Sequence, residues 1–163
     1  MRDDQFEQLY ENHAQALFSF LVYRVGDRAL AEDLVAEAFE RAYRARGRFD
    51  PRRAGERTWL FAIAINRMRD HMRRAAAEER AIIRGAPTGS GSDEDPALGR
   101  VDDRDELTNA LAGLSDEERE AIALRYGGDL TTREVANVLG VRVTTAEGRL
   151  SRGLRKLKAE LGG

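Results

Sequence analysis

The sequence predicts an all-α protein: two small helical domains joined by a flexible linker, the C-terminal one carrying a helix-turn-helix. Three observations support this. Apolar residues recur at three- and four-residue spacings, with no strand-like alternation of useful length. That periodicity lapses between residues 78 and 105, where RGAPTGSGSDEDPALGRVDDRD is rich in Gly, Ser, Pro and Asp. It then returns with two capping boxes and a small-residue turn between short helices. The expected boundaries are 1–77, an acidic linker 78–105, and 106–163.

The first helix is expected to place Phe6, Leu9, Tyr10, His13, Leu17, Phe20 and Leu21 on one stripe that needs a partner. Gly26-Asp27 breaks it and offers a cap to a second helix, in which Leu30, Leu34, Ala38, Phe39, Ala42 and Tyr43 repeat the pattern. GRFDPRRAGER, residues 47 to 57, holds Pro51 between glycines and reads as a basic loop. After it, TWLFAIAINRMRDHMRR starts as an apolar run and ends basic, so a long third helix is expected to be buried first and outward-facing later. Trp59 belongs to the apolar half and is expected mainly in the core.

In the C-terminal part, Leu107, Ala110, Leu111 and Leu114 form one helical face. Ser115 with Glu118 opens the next helix, which Gly127-Gly128 stops, and Thr131 with Glu134 opens another. Val135, Val138 and Leu139 give that helix an apolar side, and Ala136 is small where two helices must cross. Gly140 suits a left-handed turn, with Val141 and Val143 plugging it. The last helix keeps Ala146, Leu150, Leu154, Leu157 and Leu161 on one face, so Glu147, Arg149, Ser151, Arg152 and Arg155 project elsewhere. Arginine forks and hydroxyls there suit base edges and phosphates in a major groove, which makes this the recognition helix.

Composition narrows the functional classes. The absence of cysteine rules out a disulfide framework or a thiolate zinc site, and the two histidines, His13 and His71, lie far apart in sequence. No cofactor or metal is expected. With no nucleophile motif or glycine-rich phosphate loop, an enzyme acting on a small-molecule substrate is not expected either. The N-terminus is acidic and no apolar run approaches the roughly 20 residues of a membrane span, so no membrane insertion and a cytoplasmic location are expected.

The net charge of −2 cannot condense the chain on DNA in bulk, yet charge is segregated. Residues 1–40 hold three arginines against nine acids; residues 41–74 hold eleven arginines against three acids. Separate surfaces for separate partners follow.

DLVAEAFERAYRARGRF followed by TWLFAIAINRMRDHMRR resembles domain two of the extracytoplasmic-function sigma factors, and LSDEEREAIALRYGGDLTTREVANVLGVRVTTAEGRLSRGLRKL resembles their domain four. The two segments stand in the family's order and cover nearly all the chain outside the linker. The resemblance implies a transcription-initiation factor that binds core RNA polymerase and reads promoter DNA, as a duplex at the -35 element and as a single strand at the -10 element. It puts Asp33, Leu34, Val35, Glu37 and Phe39 on the polymerase-binding helix. Leu34 and Phe39 are expected to pack inward, which leaves Asp33 and Glu37 for contact.

The same resemblance assigns Ala45, Phe49 and Asn66 to a pocket for a flipped -10 base, where an apolar wall and an amide suit an extruded base. A plainer reading has Phe49 anchoring its loop to the core. Arg48, Arg52, Arg53, Arg67, Arg69, Arg73 and Arg74 are the implied phosphate holders. At the -35 element the candidates are Arg149, Ser151, Arg152 and Arg155, with Thr144 and Thr145 at the helix start.

The sequence departs from the family at Glu147, where members commonly carry a basic residue. Its spacing from Thr144 is that of a capping box, the reading preferred here; the alternative is a hydrogen bond from a cytosine amino group. Gly148 and Gly153 are expected to weaken this helix by roughly 1 kcal/mol each. The linker, acidic and flexible, is either a nucleic-acid mimic inside the polymerase or a tether. The sequence shows no further regulatory domain after Leu161, so a separate anti-sigma factor is expected as a partner. A stand-alone helix-turn-helix regulator, or an interaction module with an inactive helix-turn-helix, are the competing readings.

Overall fold

The structure, a computed structural model, describes residues 1–84 and 102–162. Among these residues it contains seven α-helices and no strand: α1 (Asp3–Val25), α2 (Arg28–Arg44), α3 (Glu56–Ile83), α4 (Asp102–Ala112), α5 (Asp116–Ile122), α6 (Thr132–Leu139) and α7 (Val143–Leu161). Most of the expected linker, residues 85–101, lies outside the described residues. On either side of it, α3 continues to Ile83 and α4 begins at Asp102.

Helix ends follow local chemistry. Gly26 takes a left-handed φ of 74° and closes α1 through its N–H to the Val22 carbonyl at 2.8 Å. The next residue, Asp27, caps α2 by accepting the Leu30 N–H at 3.1 Å. Both expected capping boxes form: Ser115 and Glu118 exchange hydrogen bonds at 3.0 and 3.1 Å, and Thr131 and Glu134 do the same. α5 runs into a π turn over Ala123–Gly127, which the glycines then end.

At the start of α7 the structure overturns an expectation. The N-cap is Arg142, without a side-chain hydrogen bond, and Thr144 and Glu147 both lie inside the helix. They form no capping box, because the helix starts at Val143 and Thr144 is already helical. Val143 is exposed as well; the turn is closed by the Val141 N–H to the Ala136 carbonyl at 3.0 Å, around Gly140 at φ 69°.

Leu9, Leu17, Phe20 and Leu21 of α1 meet Leu34, Ala38 and Phe39 of α2 and Leu60, Phe61, Ile65 and Met68 of α3 in the first lobe's core. Beyond Met72, α3 is exposed as far as Arg84. In the second lobe Leu124, Leu130, Val135, Ala146, Leu150 and Leu157 are buried together. Gly153 is buried here too, because a Cβ on it would lie 2.8 Å from Ile122 Cγ1. The glycine therefore lets α7 approach α5, a role that outweighs its low helix propensity.

The two cores are continuous. The π turn rests on α1 and α6 rests on α3. Gly127 and Gly128 make the closest approach: an added Cβ would stand 2.5 Å from the Tyr23 ring at Gly127, and 2.7 Å from the Phe61 ring at Gly128. Charged pairs frame the joint. Arg57 donates through Nε to Glu134 at 3.0 Å, Arg69 through Nη2 to Glu120 at 2.9 Å, and the buried Arg24 lies 3.5 Å from Glu120 and 3.6 Å from Asp116.

Candidate functional site

Where α2 ends and the middle of α3 passes beside it, an open cleft of about 410 Å³ forms between Arg41, Arg44, Ala45, Arg48, Ile63 and Asn66. Helical spacing explains the convergence. Ile63 and Asn66 are three apart on α3, and Arg41, Arg44 and Ala45 share one side of the last turn of α2. The floor is apolar, Asn66 brings an amide with both donor and acceptor, and three guanidinium groups stand around the rim. Such a cleft can take a flat, hydrogen-bonding ring attached to an anionic backbone.

Of the residues expected here, Ala45, Arg48 and Asn66 are brought together. Phe49 is not among them: its ring packs on Trp59 at 5.1 Å between centroids, on the side of the loop facing Met1 and Gln8. Arg41, Arg44 and Ile63 were missed by sequence reasoning. The i, i+3, i+7 spacing of Arg41, Arg44 and Arg48 was the available signal.

Along α3 the row continues from Asn66 through Arg69 to Arg73, into a trough between the lobes whose far wall is Asp116, Glu117 and Glu120 of α5. Arg69 is already engaged there by Glu120, and Arg73 pairs with Asp70. Arg67, on the neighbouring face, is largely covered and donates to Glu37 at 2.8 Å. Arg48, Arg52, Arg53 and Arg74 are exposed, Arg52 against Asp50 at 3.3 Å.

A second surface lies on the outer side of α1 and α2. Leu34 and Phe39 are buried, Asp33 is exposed and Val35 half-buried. Phe39 is the base of an aromatic groove, with Tyr10 at 4.8 Å and Phe6 edge-on at 6.2 Å, and Phe6 in turn meets Tyr43 at 5.1 Å. Glu32 and Glu40 flank this groove. Glu37 points away from it, to Arg67.

On α7, Thr144, Thr145, Glu147, Ser151 and Arg155 are exposed, opposite the buried Ala146, Leu150, Gly153 and Leu157. Arg149 and Arg152 lean toward α5, each 3.8 Å from a carboxylate, those of Glu117 and Glu118. Lys156 donates to Glu118 at 2.7 Å; with the Ser115 N–H, this holds the Glu118 carboxyl below the usual carboxylate range.

Burial works to raise the Glu134 carboxyl, but hydrogen bonds from Arg57 and Thr131 prevail and lower it. His13 lies near the same pair, and its burial depresses the imidazole. Among the described residues no cluster of His, Asp and Glu could hold a metal ion, and no helix is long and apolar enough to cross a membrane.

Comparison with known proteins covers both lobes. Residues 9–78 match the family described as Sigma-70 region 2, and residues 104–157 match Sigma-70, region 4. The chain is 34% identical to the RNA polymerase sigma factor CarQ of Myxococcus xanthus, over 98% of this chain and 90% of that protein. It is 33% identical to the ECF RNA polymerase sigma factor SigL of Mycobacterium tuberculosis, over 94% and 86%. Among solved structures it resembles the sigma factor RpoE of Bartonella quintana in complex with the anti-sigma factor NepR, with a TM-score of 0.78, 25% identity and 98% of each chain covered. CnrH in complex with the cytosolic domain of CnrY is similar at a TM-score of 0.67 and 32% identity, over 99% and 90%.

Proposed function

Because the chain belongs to the extracytoplasmic-function sigma factors of the sigma-70 family, we propose that its surfaces divide the work of transcription initiation as follows. The α1–α2 groove docks on core RNA polymerase, with Asp33 and Val35 presented beside the aromatic floor that Phe39 supports. The cleft of Ala45, Ile63 and Asn66 receives a flipped base of the single-stranded -10 element. Arg41, Arg44, Arg48, Arg52, Arg53 and Arg74 hold the phosphates around it, joined by Arg69 and Arg73 when these are released from their carboxylates. Helix α7 enters the major groove of the duplex -35 element, reading it with Glu147, Arg149, Ser151, Arg152 and Arg155, while Thr144 and Thr145 meet the backbone. Residues 1–77 and 106–163 are the two functional domains, and residues 78–105 connect them across the polymerase.

One observation carries this reading: an amide, an apolar floor and an arginine rim converge in one open cleft. A flipped base needs hydrogen-bonding and apolar contact together, and its backbone needs cations. The protein works in the cytoplasm, beside the polymerase, as a binding factor and not an enzyme. Its control falls to a separate anti-sigma factor, as the partners of the two structural relatives suggest. A stand-alone regulator using α6 and α7 alone is not favoured, since the curated relatives align through both lobes.

Reconstituted transcription tests the proposal. Core polymerase with this chain is expected to start RNA at defined genomic promoters, and Asn66→Ala to lose discrimination at one -10 position by roughly 1–3 kcal/mol. Transcripts unaffected by Asn66→Ala and by Arg48→Ala together would remove the cleft from the mechanism.

A further inference from the structure

A half-enclosed groove of about 200 Å³ lies between the C-terminal half of α1 and α4, and it shares no residue with the arginine cleft or the trough beside that cleft. Its walls are mostly apolar: Phe18, Val22 and Tyr23 of α1 stand against Leu107 and Leu111 of α4. Phe18, Val22 and Gly26 are spaced four apart, so they line one side of α1 for two turns, about 12 Å.

Two cations stand in this apolar setting without an acid to answer them. Arg119 of α5 reaches the groove beside Gly26, where an added Cβ would lie 3.6 Å from its Nη2, and its buried Nε has no hydrogen-bond partner. Arg28 lies over the Phe18 ring, 5.6 Å from the centroid. Among the described residues neither arginine is within ion-pair distance of a carboxylate, and the adjacent Asp27 is engaged in capping α2. Arg24 differs, because Asp116 and Glu120 answer it. Burial and the charge of Arg24 push the Arg119 guanidinium below its ordinary range, which Asp116 offsets only in part. The site is therefore short of one negative charge.

A guanidinium without a partner beside an apolar groove selects for an anionic head on an apolar body. The volume suits one small molecule and is too small for a helix of a protein partner. We propose that the groove between α1 and α4 binds a small organic carboxylate, with the carboxylate on Arg119, Arg28 adding a second positive charge, and the apolar body against Val22, Leu107 and Leu111. This site does not depend on the promoter-reading surfaces, and its ligand is chemically unlike DNA.

Octanoate, whose extended chain spans about the same length as the groove, is the probe. Titration calorimetry on the full chain is expected to show saturable one-to-one binding, with 1-octanol at least about tenfold weaker because it cannot form the charge-assisted pair. Arg119→Gln should weaken octanoate binding by about tenfold or more, yet leave the Tm of the ligand-free protein unchanged or higher, since a buried charge that no acid answers is removed. An arginine with a structural role alone gives the opposite pattern, a lower Tm with octanoate affinity unchanged.

A second variant, Thr108→Phe, fills the groove from an exposed position on α4 and is expected to abolish octanoate binding with helicity retained. The proposal is overturned by the absence of saturable octanoate binding at millimolar concentration, by equal affinity for octanoate and 1-octanol, or by wild-type octanoate affinity in either variant.

Discussion

Gly153 of α7 lies against Ile122 of α5 so closely that a methyl group on the glycine would stand 2.8 Å from Ile122 Cγ1. In an exposed helix Gly→Ala stabilises by about 1 kcal/mol. Here the added carbon overlaps the buried Ile122 side chain, which must shift within the packed core, so Gly153→Ala is expected to destabilise the protein by about 1–3 kcal/mol. Urea unfolding of the two proteins checks this; a higher midpoint for the variant contradicts it.

Glu118 has two tasks, accepting the Ser115 N–H in the capping box and holding Lys156 of α7. Glu118→Ala is expected to cost about 1–2 kcal/mol through the lost cap. Glu118→Gln keeps an acceptor for the Ser115 N–H and should cost less. Thermal unfolding followed by helicity distinguishes the two; equal losses would mean that charge, not capping, dominates.

Acid should weaken the fold in two steps. His13 is depressed by burial, so its neutral form belongs to the folded state. Its contribution is complete above the unfolded value of 6.5 and is lost as pH falls through the lower folded value. Glu118 and Glu134 are also depressed, and their contribution is complete above 4.5 and lost as pH falls through their folded values. Stability therefore rises with pH in both windows. In His13→Asn the upper step should vanish while the lower one remains, as read by urea midpoints across pH.

Phosphate holding has a salt signature. Arg48 is exposed at the rim of the cleft and forms no ion pair among the described residues. Arg48→Ala is expected to weaken oligonucleotide binding across sequences and to lower the slope of log Kd against log salt by about 0.7, the value for one contact on a single strand. An unchanged slope would move Arg48 out of the phosphate path.

For the polymerase face, Val35→Glu puts a charge beside the aromatic groove without touching the buried Leu34. Binding to core enzyme should weaken by about tenfold or more, with promoter-oligonucleotide binding unchanged. Loss of both together would point to a folding defect and not to a docking face.

How far the sequence was legible depended on the range of the interactions. The caps at Asp27, Ser115 and Thr131 and the turns at Gly26 and Gly140 involve neighbours within a few residues, and all of them form. Thr144 and Glu147 have the same local spacing as those boxes, yet the helix starts one residue before Thr144, and a cap exists only where the helix begins. Phe49 could be placed near the basic loop, but which way its ring turned depended on Trp59, ten residues on.

Helix order, the two-lobe division, the helix-turn-helix and the reversal of charge at residue 41 were determined by the sequence alone, because periodicity, capping and composition act locally along the chain. Only the tertiary structure decided that Arg69 faces Glu120, that Arg57 faces Glu134, and that Gly127 rests on α1. Those pairings join residues 51, 77 and about 100 positions apart, and no local pattern encodes which charged face of one lobe will meet which face of the other. Packing of the whole chain settles that, through close approach at two glycines and the burial of charges that must find partners.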